Sequence, residues 1–231
     1  MPNSKTIGIL AGMGPRSTAP FIDRVVSECQ RQYGAKHDND FAPMMIYSLP
    51  TPFYLDRPID HSEMKHVICD GLRRLESTGV AFIAMPCNSA HIYFDELKDC
   101  VRVPLLNMID EVLRALPGGA RRMALLATRP TVESGLYQRG ASHYGVEMVV
   151  REEWQAMVDS VIGQVKAGHI DSARSIWRGL LTKLAAADVG SAILACTDLN
   201  PASAGESGEL ALLDAMECLA RATVQMWLEL S

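Results

Sequence analysis

The sequence of 231 residues has no Cys-x-x-Cys pair among its six cysteines, Cys29, Cys69, Cys87, Cys100, Cys196 and Cys218. That excludes a zinc ribbon and a dithiol redox motif. No group of His, Cys, Asp and Glu has zinc-site spacing, and no lysine stands in a pyridoxal phosphate motif. Neither a metal nor an organic cofactor is therefore expected. Long basic runs are missing as well, and the formal net charge is -5. Nucleic acid and anionic membrane surfaces are not the expected partners of such a chain. Long apolar runs are equally scarce. The opening segment, Met1 to Gly14, carries one Lys before a short apolar stretch that glycines soon break. It reads as neither a secretory signal nor a spanning helix, so a cytoplasmic location is expected. A chain of this size can bury its own core without a disulfide framework, and its thiols are expected to be free.

What is present is the composition of a globular protein, 48% hydrophobic and 21% charged. Short apolar runs alternate with longer amphipathic segments, the pattern of an α/β fold with mainly parallel strands. Strands are expected at Lys5–Leu10, Met44–Ser48, Val80–Ala84, Leu105–Asn107, Met123–Ala127, Glu147–Val150 and Ser191–Ala195. Helices are expected at Pro15–Tyr33, Ser62–Ser77, Ala90–Lys98, Asp110–Leu116, Val132–Tyr144, Glu152–Lys166, Ile170–Ala187 and Leu210–Leu230. Pro117-Gly118-Gly119 marks a turn in mid-chain.

The halves repeat a layout. Each opens with an apolar strand that ends in a special turn, Gly12-Met13-Gly14 in the first and Thr128-Arg129-Pro130-Thr131 in the second. Each later has an apolar strand ending at a cysteine, in Met85-Pro86-Cys87-Asn88-Ser89 and in Leu194-Ala195-Cys196-Thr197-Asp198. The expectation is two pseudo-symmetric lobes, residues 1–105 plus 210–231 and residues 106–209, with the site in the cleft between them. Ligands of parallel sheets bind beyond the carboxyl ends of the strands, and both cysteines fall at such ends.

A buried, inert thiol is the ordinary fate of a cysteine, and Cys29, Cys69 and Cys218, inside amphipathic helices, fit it. Cys87 and Cys196 differ, because each stands where a strand turns into the next helix. A helix N-terminus lowers a thiol's pKa from about 8.5. Two such thiols can serve as base and acid on opposite faces of an α-carbon, exchanging roles with the handedness of the substrate. The growing charge on the substrate carboxylate then needs dense donors. Asn88, Ser89, Thr128, Thr131 and Thr197 offer them, and helix capping is the structural role open to the same residues.

The turn Gly12-Met13-Gly14-Pro15 permits a close approach of backbone to ligand. It is not a dinucleotide fingerprint, because Ser17 stands at the third glycine position and no acidic residue closes the unit about 20 positions on. His91, four residues after Cys87, is open to two readings, a partner of that thiol or a core histidine, and is assigned no catalysis.

These motifs resemble the aspartate/glutamate racemase family over nearly the whole chain. Gly12-Met13-Gly14-Pro15 with Thr18 is similar to the family's opening turn, and Cys87-Asn88-Ser89-Ala90-His91 to its first cysteine motif, with Ser89 where Thr is usual. Ala127-Thr128-Arg129-Pro130-Thr131, followed by Tyr137, is similar to the segment that opens the second half, and Cys196-Thr197-Asp198 to the Cys-Thr-Glu motif. The resemblance implies a cofactor-independent, often dimeric racemase of a small acidic amino acid, with Cys87 and Cys196 as its acid/base pair. It implies that Met13 and Gly14 line the substrate site, and that Arg57 and Lys166 hold a side-chain carboxylate. An ordinary solvated charge is the other reading of both cations. Three departures stand out: Ala11 for a common Gly, Asp198 for Glu beside the second thiol, and the run Leu199-Asn200-Pro201-Ala202-Ser203. Hydantoin racemisation, a maleate-type isomerisation and silent binding of an acidic amino acid remain the alternatives.

Overall fold

Five consecutive buried residues, Ile7–Ala11, form a strand covered on both faces, as the central strand of a parallel sheet must be. The computed structural model describes residues 5–54, 57–206 and 210–230. Leu55 and Asp56, which precede Arg57 in its expected motif, lie outside the described residues. The chain divides into two units, one running up to Met108 and resumed from Met216, the other spanning Ile109–Ala215.

In the first unit β1 (Ile7–Ala11) leads through a single 3-10 turn, Pro15–Ser17, into α1 (Thr18–Tyr33). There follow β2 (Met44–Ser48), α2 (His61–Glu76), β3 (Phe82–Ala84), a 3-10 turn at Ser89–Tyr93, α3 (Phe94–Leu97), a 3-10 turn at Lys98–Cys100 and the start of α4 (Met108–Arg114). The sheet has the order β2-β1-β3 and is parallel throughout. α2 begins at Asp60, whose carboxylate accepts from the N–H groups of Ser62 and Glu63 at 3.0 Å each, a side-chain cap of the usual kind. Its stripe Met64, Ile68, Leu72 and Leu75, at spacings of three and four, packs on Leu10, Ile83 and Met85.

The second unit contains β4 (Arg122–Ala127), α5 (Arg129–Glu133), α6 (Leu136–Ser142), β5 (Glu147–Val149), α7 (Glu152–Ala167), α8 (Ile170–Ala185), β6 (Ser191–Ala195), α9 (Asn200–Ser203) and β7 (Ala211–Asp214). Its sheet runs β5-β4-β6-β7, again parallel. The core is aromatic at two points. Trp154 on α7 and Trp177 on α8 are buried among Val158, Val161, Leu180 and Leu184. Truncating either indole to Ala removes about 3–5 kcal/mol by the usual cost of a large buried side chain. The final helix, α10 (Ala215–Leu230), returns to the first unit. There the Trp227 indole N–H donates to the Lys5 carbonyl at 2.8 Å, and the Gln32 amide donates to the Arg221 carbonyl at 2.9 Å.

The α/β class and the parallel sheets agree with the alternation read in the sequence. The two sheets also share a topology, with β1 and β4 each flanked by the strands that follow them. Several elements differ from expectation. Leu105–Asn107 is no strand; Leu105 makes a single bridge to Ile83, and Pro104 beside it has no N–H to extend a ladder. The helix expected over Val132–Tyr144 is two helices, broken where Gly135 takes φ 68°. Ala90–Lys98 is a chain of short 3-10 and α turns. Leu210–Leu230 opens as β7 and becomes helix only at Ala215, because its apolar run pairs with the free side of β6. The expectation of free thiols fails for one pair: Cys69 on α2 and Cys100 at the turn after α3 form a disulfide, with Cα atoms 5.7 Å apart. Cys29, Cys87, Cys196 and Cys218 are not in disulfides. Among the described residues no helix is long and apolar enough to cross a membrane.

Candidate active site

The carboxyl ends of β1 and β3 lie side by side, since Ile9 pairs with Ala84. The chain leaves β1 at Gly12, whose φ of 93° and whose close approach to Leu49 both demand glycine. A Cβ there would meet the Leu49 nitrogen at 2.5 Å. The Gly12 N–H donates to Thr18 Oγ1 at 3.2 Å, and Ser17 Oγ donates to the Gly14 carbonyl at 2.7 Å. Thr18, quoted above as part of the opening turn, thus ties that turn to the start of α1. Met13 is partly exposed and Gly14 is buried.

Cys87 follows β3 after Met85 and Pro86, and its N–H donates to the Met85 carbonyl at 2.8 Å. Its side chain is partly exposed, while Asn88 beside it is buried and Ser89 half-buried. His91 is buried and bonded at both ring nitrogens. Nε2 accepts from the Met108 N–H at 3.0 Å and lies 3.3 Å from the Leu106 carbonyl, and with Nε2 accepting, Nδ1 donates to the Cys87 carbonyl at 2.7 Å. The core reading of His91 therefore prevails over the thiol-partner reading in its hydrogen bonding, and the ring braces the peptide of Cys87. Tyr93, two residues on, bonds the Nδ1 of His61 at 2.6 Å. Burial pushes its hydroxyl above the ordinary phenol range, and negative charge at Cys87 and Glu96 adds to the shift. Tyr93 was not legible as a neighbour of Cys87, because a 3-10 turn carries residue 93 back toward it, where α-helical spacing does not.

The second unit repeats the arrangement at the ends of β4 and β6, where Ala127 pairs with Ala195. Thr128 and Thr131 share a hydroxyl–hydroxyl bond of 2.9 Å, and both are buried. Gln155 on α7 fixes the strand end by donating to the Ala127 carbonyl at 2.9 Å. Arg129 turns to Glu152 and Asp159, bonding them at 2.6 and 2.7 Å, and these carboxylates raise its already high pKa. Cys196 is buried after β6, and Thr197 and Asp198 are buried in the 3-10 turn that follows. Asp198 is not solitary: Lys166, in the last turn of α7, reaches its Oδ2 at 2.9 Å. The sequence offered no sign of this pair, whose members are 32 positions apart on different elements. Asn200, one turn on, donates to Asp214 at the end of β7 at 2.6 Å.

Six of the expected residues thus gather at the strand ends of the second unit, namely Thr128, Thr131, Lys166, Cys196, Thr197 and Asp198. Met13, Gly14, Cys87, Asn88 and Ser89 gather at those of the first. Arg57 stands apart from both groups of strand ends in sequence and is exposed, with its guanidinium 4.0 Å over the ring of Tyr54. Neither cysteine is followed by a long helix, so the helix-terminus field expected at the thiols is confined to short 3-10 turns. Among the described residues no cluster of three or more metal-ligating side chains occurs.

The family model described as Asp/Glu/Hydantoin racemase matches residues 10–223, a span that contains both cysteine turns. The chain belongs to that racemase family. It is 45% identical over 224 residues to the broad specificity amino-acid racemase RacX of Bacillus subtilis, covering 96% of this chain and 98% of that one. Among solved structures it is similar to Picrophilus torridus aspartate racemase, with a TM-score of 0.85 and 30% identity over 96% of this chain and 94% of that one. An aspartate racemase homologue from Pyrococcus horikoshii OT3 superposes with a TM-score of 0.75 at 25% identity, covering 96% and 99% of the two chains. The racemase family read from four short motifs is the family found.

Proposed function

We propose that this protein is a cofactor-independent amino-acid racemase in which Cys87 and Cys196 act as a two-base pair on substrates that include aspartate and glutamate. One observation carries the reading. In each parallel sheet, a strand beside the leading strand is followed within three residues by a cysteine that is in no disulfide, next to a turn rich in hydroxyl and backbone donors.

In the proposed cycle one cysteine enters as thiolate and the other as thiol. The thiolate sulfur takes the α-proton, and the C–H bonding pair stays on the substrate as a carbanion whose charge spreads into the carboxylate. The opposite thiol delivers its proton to the other face of the carbon and is left as thiolate. The protein thereby ends with the proton on the other sulfur, and exchange with solvent resets it. Hydroxyls of Ser89, Thr128, Thr131 and Thr197, the Asn88 amide and the N–H groups of the Met13-Gly14 turn are the donors proposed for the carboxylate. In this reading Arg57 and Lys166 are the cations available to a substrate side chain.

The same reading takes the enzyme to be cytoplasmic, where its two site thiols stay reduced. It also takes it to be a homodimer. The exposed edge of β2, with Met45 at 42% and Ile46 at 40% exposure, supports self-association, since apolar side chains on an open strand edge call for a cover.

The test is incubation with L-aspartate, L-glutamate and L-alanine in heavy water, without added cofactor. D-product carrying α-deuterium is expected, and Cys87→Ala or Cys196→Ala should each reduce it by at least about a thousandfold, as loss of an acid/base group does. Exchange without inversion in the native protein would refute the two-base pair. No exchange with any amino acid would refute racemisation of free amino acids and return the hydantoin-type reaction to the lead.

A further inference from the structure

α2 and the segment that follows Cys87 are stitched together along one face of the helix. His61, Lys65 and Cys69 recur every four residues on α2 and so share that face, and they engage the segment in the same order. His61 Nδ1 meets the Tyr93 hydroxyl at 2.6 Å, Lys65 pairs with Glu96, and Cys69 is joined to Cys100. Farther along the face, Glu76 continues the seam by accepting from the N–H groups of Arg102 and Val103 at 2.6 and 3.2 Å.

The rungs of this seam are unequal. Lys65 and Glu96 are 34% and 65% exposed, and an ion pair so placed holds little. His61 is exposed as well, and its bond to Tyr93 competes with water. The disulfide is the covalent rung, and Cys87 lies inside the loop that it closes, a sequence separation of 31. The segment has little stiffness of its own. From Ser89 to Cys100 it consists of a 3-10 turn, the four-residue α3 and a second 3-10 turn, elements with poor hydrogen-bond geometry. Its position therefore depends on what it is tied to. His91 braces the Cys87 carbonyl at one end, and Cys69 holds the other. Both disulfide residues are partly exposed, so a reductant can reach them, and accessible disulfides are the labile and regulatory ones. In the reducing compartment proposed above, a disulfide is as a rule transient and redox-sensing.

We propose that the Cys69–Cys100 disulfide is a redox lock on the first site thiol. Closed, it fixes the segment that aims Cys87; opened by a dithiol, it releases that segment and turnover falls. The step is a thiol–disulfide exchange. A thiolate of the reductant attacks one protein sulfur, the Cys69–Cys100 bond breaks, and a mixed disulfide forms. The second thiol of the reductant then displaces the protein sulfur, and the reductant leaves as its own disulfide. Two electrons and two protons pass to Cys69 and Cys100. Both are positioning residues that act through the segment and exchange no proton with substrate. The lock rests on the racemase reading for its effect on turnover but not for its effect on the segment.

The sign of the effect separates the lock from simple thiol protection. A reductant that only kept Cys87 and Cys196 reduced would raise turnover, whereas opening the lock lowers it. The experiment assays the full chain before and after dithiothreitol by α-deuterium incorporation into the amino acids named above. Amide hydrogen exchange, read by mass spectrometry, supplies a measure free of turnover. Reduction should speed exchange across residues 88–100 about tenfold or more and leave residues 109–215 unchanged, as local loosening does. It should lower kcat about tenfold or more with KM held within about threefold, because a misaimed sulfur slows proton transfer without weakening binding. The double variant Cys69→Ser, Cys100→Ser should show the lowered kcat from the outset and no response to dithiothreitol. Should that variant fail to fold, the reduced unaltered protein carries the test alone. An unchanged kcat after proven reduction overturns the lock, as does a pair that remains two thiols after incubation with oxidised dithiothreitol. Exchange that rises equally in residues 109–215 is general unfolding and overturns it too. A loosened segment in a protein that racemises nothing in either state sinks the racemase reading and leaves the lock on the segment standing.

Discussion

His91 gives one bond to the Cys87 carbonyl and takes one from the Met108 N–H, and removing the ring deprives both backbone groups of that partner. Leaving buried backbone groups unsatisfied costs about 1–3 kcal/mol each, so His91→Phe should destabilise the fold by about 2–4 kcal/mol in urea unfolding. The same variant should lower kcat about ten- to a hundredfold, because a shift of the Cys87 peptide misaims its sulfur. The shape of the pH–rate profile should persist, since His91 holds the peptide and exchanges no proton with substrate. Loss of a limb near pH 6.5 in that variant would instead make the ring a general base. At this scale the sequence was informative where function sits on one short segment. Cys87, Asn88 and Ser89 are contiguous, and so are Cys196, Thr197 and Asp198. It was silent where two segments meet. The engagement of Lys166 by Asp198, and of Tyr93 by His61, follows from how α7 lies on the β6 turn and how α2 faces the 3-10 turn after Cys87.

The disulfide is a property of elements, because it ties α2 to the turn that ends α3 across a separation of 31 residues. Denatured, unreduced protein should therefore show four reactive thiols, and six after reduction, in a chromogenic thiol titration. Six without reductant would mean that the compartment or the purification keeps Cys69 and Cys100 as a dithiol. Periodicity could not reveal this link, since Cys69 reads locally as a packing residue of its helix and Cys100 lies beyond the end of the helix expected at Ala90–Lys98. The same blindness explains the misplaced elements. Leu210 to Leu213 is apolar at every position and fits either period, so the choice of strand was made by the unpaired side of β6. Gly135 lies inside the amphipathic run read as one helix, and its left-handed backbone breaks that run in two. β1, β4 and β6, by contrast, are apolar runs of strand length bounded by Gly, Thr or Cys turns, and their local chemistry agreed with their place in the sheet.

The first three strands of each sheet have the same order, and a cysteine follows the third of them in each, while the α/β class was legible in the alternation of short apolar runs with amphipathic segments. The edge strands are less buried than the central ones, and in β2 the large apolar residues 45 and 46 are exposed. Ile46→Lys places a charge on that edge. It should shift the proposed dimer toward monomer in light scattering at micromolar concentration, without loss of the α/β far-ultraviolet spectrum. An unaltered protein that is already monomeric there would refute the dimer.

The return of α10 to the first unit sets an order of events during synthesis. The second unit is one uninterrupted stretch of chain, Ile109–Ala215, and can close on itself as soon as it has emerged. The first unit cannot, because Met216, Leu219, Ala220 and Val224, all buried, arrive last. At about 5–20 residues per second, α1 waits several seconds or more for the helix whose Arg221 and Trp227 contact its Gln32 and Tyr33. The half of the protein that is translated first is thus the half that is finished last, and the apolar surface awaiting α10 is the part of the nascent chain that a chaperone would meet.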